Sequence, residues 1–164
     1  DDLAPFFLRY ELLLDALARN TLTLPESCPA GDICGGRHDV MIQLIEALYL
    51  HTKAGIALSA KKRKELLESS GEQECSCALF IDKERPLHRF RPASCRLREA
   101  SFSDDFRERI EKELAQLSRE VFSEIFSIRA DSDPPPIPID DVISGRFIQD
   151  YFKLLSNRKP DRSQ

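Results

Sequence analysis

Apolar residues recur along much of this chain at three- and four-residue steps, the spacing that gathers side chains on one face of an α-helix. From Leu3 to Arg19 the positions Leu3, Phe6, Phe7, Tyr10, Leu13, Leu14 and Leu17 make such a face. A second helix is expected from a cap at Asp39 to about Lys53, with Met41, Leu44, Ile45 and Leu48 inward. Ser59 opens a shorter, basic one, "SAKKRKELLESSG", which ends at Gly71. The longest stripe starts at Ser103 and is carried by Phe106, Ile110, Leu114, Leu117, Val121 and Ile125. Beyond it, Pro134, Pro135, Pro136 and Pro138 read as a stiff connector. Asp140 or Asp141 then starts a last helix that aligns Ile143, Phe147, Tyr151, Leu154 and Leu155.

Two stretches break this periodicity. "NTLTLPESCPAGDICGGR" carries two prolines and three glycines, and residues 72–98 offer only "CALFI" as a short strand. Within the second, "RPLHRFRPASCRLR" (Arg85 to Arg98) holds five arginines, two prolines, a histidine and a cysteine. Prolines and clustered charge exclude it from a helix interior or a central strand, so an irregular, exposed segment is expected. The pattern therefore predicts a mainly α fold, a single domain over residues 1–156 of about five helices. Its irregular loops, 20–38 and 72–98, meet at one end of an antiparallel arrangement, and 157–164 form a flexible tail.

Composition sharpens this picture in one direction. A chain of 164 residues can bury roughly two-thirds of its unfolded surface without staples. Its 41% apolar and 32% charged residues match a soluble globular protein. The formal charge of −4 gives no overall pull toward nucleic acid or a membrane, so such contacts are disfavoured unless local. The local nucleic-acid candidates are Arg85, Arg89, Phe90, Arg98 and the "KKRK" of residues 61–64, without an aromatic-rich sheet or a reading helix to accompany them. No apolar run is long enough for a bilayer and "DDLAPFF" lacks a basic leader region, which makes a cytoplasmic location the expectation. A protein partner is compatible with the surface chemistry, and the oligomeric state is left open.

The candidate chemistry lies in the cysteines. Five of them stand at positions 28, 34, 75, 77 and 95, all in or beside the irregular stretches. An odd number without an export signal argues against a secreted disulfide framework, which leaves packed thiols or metal ligands. Loops meeting at one end of a bundle could bring four thiolates together, a set that suits tetrahedral zinc or an iron–sulfur cluster. The spacing is a weak signal by itself, because zinc knuckles use pairs separated by two to four residues and neither pair here does.

"RPASC" followed by Arg96 resembles the R-P-x-x-C-R signature of the CxxCxxCC family, whose members are assigned zinc or iron–sulfur chelation. That family includes YkgJ-type proteins and domains related to flagellin lysine-N-methylase. "CALF" at Cys77 resembles its C-P-x-L segment, "PLH" at 86–88 the end of its C-x-[IV]-[YH] segment, and "QLIEALYL" the helix after its first cysteine block. The resemblance covers roughly residues 28–98. The first block departs from the pattern: Cys28 keeps its place, Asp32 replaces the second cysteine, and Gly35 and Gly36 replace the double cysteine. Cys34 is one residue out of register, and Arg85 stands where a cysteine precedes "PLH".

The resemblance implies a metal site built from Cys28, Cys34, Cys77 and Cys95, with Cys75 an alternative and Asp32, His38 and His88 as oxygen or nitrogen ligands. With ligands lost, one zinc is favoured over an iron–sulfur cluster. Arg91 and Arg96 would offset thiolate charge and fix the loop by bonding carbonyls; the plainer reading of these arginines is a salt-bridged loop facing the acidic helix 103–113. His51, near the end of the second helix, reads as a surface residue suited to the helix dipole. No nucleophile elbow, phosphate loop or zinc-protease helix is present, so no catalytic residue is assigned. The alternative reading is a metal-free helical interaction module in which the family site has decayed.

Overall fold

A computed structural model of the chain describes residues 2–21, 40–69, 87–99, 102–128 and 132–157. It is mainly helical: α1 (Ala4–Asn20), α2 (Leu44–Ala57), α3 (Ala60–Ser69), α4 (Ala93–Glu99), α5 (Asp104–Phe126), α6 (Ile139–Ser144) and α7 (Arg146–Asn157). Two short strands, β1 (Met41–Ile42) and β2 (Ile137–Pro138), pair antiparallel with Met41 opposite Pro138 and Ile42 opposite Ile137.

The two longest apolar stripes form the expected helices. In α1, Tyr10, Leu14 and Leu17 are buried. In α5, Ile110, Leu114, Leu117, Val121 and Phe122 line the inner face, with Ser118 buried among them. The Ser103 hydroxyl accepts the Phe106 amide at 3.3 Å, and Asp104 and Asp105 stand where the helix dipole favours negative charge. Helix α2 is the centre of the molecule and packs against α1, α5 and α6. Its Ile45 and Leu50 are fully buried, each side chain contributing about 1.5–3 kcal/mol of hydrophobic free energy relative to exposure.

Three expectations are corrected. The second helix begins at Leu44 and ends at Ala57, because Met41 and Ile42 extend to pair with β2 and Gln43 becomes the extended residue before the first turn. Met41 is consequently 39% exposed rather than inward. The proline connector is not a bare spacer: Ile137 is buried, Pro138 belongs to β2, and Tyr151 donates its hydroxyl to the Pro135 carbonyl at 2.6 Å. The last helix is two, starting at Ile139, because Gly145 adopts φ +76°, a left-handed conformation that ends α6 and turns the chain into α7. Among the described residues no helix is long and apolar enough to cross a membrane. "CALFI", Asp39 and the tail from 158 lie outside the described residues.

Candidate functional site

The arginine-rich segment is neither wholly irregular nor exposed. His88–Phe90 form a 3-10 turn and Ala93–Glu99 form α4. Pro92 immediately precedes the helix, where a missing N–H costs nothing, and its carbonyl accepts the Cys95 and Arg96 amides at 3.1 and 3.2 Å. Leu87, Arg91, Pro92, Ala93, Cys95 and Leu97 are buried. The apolar members of this set give the segment an inner face, which the density of charge hides from a reading of its composition.

The first amides of a helix need partners from outside it. Here α1 and α2 supply them. Ala93 N–H donates to the Tyr10 hydroxyl at 3.1 Å. Ser94 N–H donates to Glu46 Oε1 at 2.8 Å, and the Ser94 hydroxyl donates to Glu46 Oε2 at 2.6 Å. Glu46 Oε2 also accepts the Gln43 amide of its own helix at 2.7 Å. A fully buried carboxylate thus receives three donors, and two of them come from a residue 48 positions away. The same device appears at the start of α2, where Ile45 N–H donates to the Ser118 hydroxyl of α5 at 3.2 Å. At the other end of α4, the Arg107 guanidinium donates to the Leu97 carbonyl at 2.8 Å.

Burial governs the electrostatics of this cluster. It pushes the Glu46 carboxyl up from the ordinary range, while the Ser94 hydroxyl and the Ser94 and Gln43 amides pull it back. It also raises the Tyr10 phenol, and the neighbouring Glu46 adds to that rise. The Arg96 guanidinium is lowered chiefly by desolvation; the like charge of Arg91 adds to the fall, and Tyr10, Tyr49 and Cys95 oppose it. Arg96 donates through Nε to the Arg91 carbonyl at 3.1 Å and through Nη2 to the Arg89 carbonyl at 3.2 Å, which closes the turn before α4. Nearby, Tyr49 stands edge-on to Tyr10 at 5.0 Å and to Phe90 at 6.5 Å between centroids. The Tyr49 hydroxyl donates to Glu11 at 2.9 Å, and Arg89 lies 4.5 Å over the Phe90 ring.

Among the expected site residues, Cys95, Arg91 and Arg96 are brought together. Cys95 is 2% exposed and belongs to the apolar core, and Arg91 is 5% exposed. Cys28, Cys34, Cys77, Cys75, Asp32 and His38 lie outside the described residues. His88 is placed only as the first residue of the 3-10 turn. Among the described residues no group of three or more His, Cys, Asp or Glu side chains is arranged to hold a metal ion. Arg91 and Arg96 do not form the surface loop that plain charge suggests: one is buried and the other is committed to carbonyls. His51 is not a simple surface residue either. A carbonyl can only accept, so its Nδ1–H donates to Val142 of α6 at 3.0 Å, and its ring meets Phe147 edge-on.

Glu46, Ser94 and Tyr10 are the residues that motif reasoning did not single out as a site. A signal for Glu46 is visible: it is the one charge within the apolar run "QLIEALYL". No family model, curated protein or solved structure matches this chain.

Proposed function

We propose that this is a helical metal-binding protein in which Cys28, Cys34, Cys77 and Cys95 hold one zinc ion, in preference to an iron–sulfur cluster. Four thiolates around a divalent ion leave two net negative charges, and a buried site of that kind needs cationic neighbours. The observation that supports the reading best is the setting of Cys95. Its thiol is buried on a helix whose first amides are held by Glu46 and Tyr10, and Arg96 is the next residue of that helix. Arg91, also buried, occupies the turn just before it. In this reading Arg91 and Arg96 stabilise thiolate charge, and the pinned α4 fixes the direction of one ligand.

Metal binding of this type contributes to folding, so removing the ion should weaken the fold. A strong chelator is expected to lower the unfolding temperature of protein purified without an affinity tag or metal supplementation, and stoichiometric zinc is expected to restore it. Under denaturing, chelating conditions close to five thiols should react. About one reactive thiol together with two mapped disulfides would overturn both the metal and the cytoplasmic readings.

A second reading, a metal-free helical interaction module, is favoured by a separate observation. Cys95 already has apolar packing, and large apolar side chains remain exposed on α1 (Leu8 and Leu12) and on α7 (Ile148, Phe152 and Leu154). An unchanged melting curve in a protein that also contains no metal would assign this reading.

A further inference from the structure

Three hydrogen bonds tie segment 87–99 to helices α1 and α2, and these three run in one direction. The segment donates, through Ala93 N–H, Ser94 N–H and the Ser94 hydroxyl, and the helices accept, through Tyr10 and Glu46. Glu46 stays bonded to the Gln43 amide of its own helix whether or not the segment is docked. The segment's apolar anchorage comes from the buried Leu87, Pro92, Ala93, Cys95 and Leu97 and from Phe90, which is partly buried against the core. Local units of a native fold open before the whole molecule unfolds.

We infer that Glu46 is the positioning residue of segment 87–99, a carboxylate latch whose release exposes the Cys95 thiol while the helical core stays folded. Only the seated segment supplies two of the three donors of Glu46, and the Ser94 amide and hydroxyl must reach the carboxylate together, so the latch specifies one seating rather than merely adding contact. Ser94 is the matching half. Its hydroxyl can bond the carboxylate only when α4 is in register with α2, and a shift of one residue along α4 would bring Ala93 or Cys95 to that position. This inference goes beyond the metal reading and does not rest on it, because Cys95 here serves as a reporter of docking whether or not it is a ligand.

The test is alkylation of Cys95 in the full chain under native conditions, with chelator present so that metal does not mask the thiol. The labelled peptide is quantified by mass spectrometry, and amide hydrogen exchange of α2 and α5 is followed in parallel. A hydrogen bond to a charged group corresponds to a change of about ten- to a hundred-fold in an opening equilibrium. Ser94→Ala and Glu46→Ala should accelerate Cys95 labelling by about that factor, with exchange in α2 and α5 altered by much less. Ser94→Thr, which retains the hydroxyl, should label at close to the wild-type rate. The inference is overturned if labelling of Cys95 is unchanged in Ser94→Ala, if it rises only in proportion to core amide exchange, or if Ser94→Thr labels as fast as Ser94→Ala.

Discussion

A carboxylate at zero exposure is costly unless its lone pairs are occupied, and Glu46 solves this with hydroxyl and amide donors. The remaining penalty shows as a raised carboxyl affinity for protons, with desolvation outweighing the donors. Its sign sets a pH dependence. The folded state binds this proton more tightly than the unfolded chain, so the contribution of Glu46 to stability is full below the unfolded value of about 4.3 and declines as pH rises through the raised folded value. Glu46→Gln removes that decline. Urea midpoints of wild type and Glu46→Gln, compared at about pH 4 and about pH 7, should therefore show the variant gaining relative to wild type at the higher pH. Glu120, held low by its hydrogen bond with Arg9, works in the opposite sense but is present in both proteins and cancels in the difference. An identical wild-type-to-variant difference at both pH values would contradict the burial account. At this scale the sequence was partly legible. Cys95 and its arginines drew notice as residue types but their burial did not, whereas Glu46 showed only as the one charge in an apolar run because its partner, Ser94, is distant in the chain.

At the scale of elements, legibility followed the range of the forces. Helices α1 and α5 were readable because their stripes and the Ser103 cap are local. The start of α2 was not, since Met41 and Ile42 are drawn into extended form by pairing with residues nearly a hundred positions away. Helix α4 was hidden by its prolines and arginines: Pro92 sits just before the helix, where it does no harm, and Arg96 turns back to carbonyls rather than to solvent. The break between α6 and α7 was visible only as a glycine within an apolar pattern. Gly145 needs its positive φ, and a Cβ there would lie 3.3 Å from His51 Cε1. Gly145→Ala forces an L-residue into the left-handed region at a cost of about 1–2 kcal/mol. In a domain of this size that corresponds to a melting-temperature drop of roughly 2–8 °C. Calorimetry would check it, and an unaltered or raised melting temperature would mean that α6 and α7 can join without the turn.

At the scale of the whole molecule, the start of α2 and both ends of α4 are satisfied by side chains of other helices, so the folding of α1, α2, α4 and α5 is linked through Tyr10, Glu46, Ser118 and Arg107. That linkage explains how a segment rich in charge becomes part of the core. The most direct measurement is the metal content of untagged protein purified without added metal, determined by elemental analysis for wild type and Cys95→Ser side by side. The account predicts about one zinc per chain in the wild type and none in the variant, because a neutral hydroxyl replaces a thiolate poorly. Equal metal content in the two proteins, or none in the wild type, would contradict it.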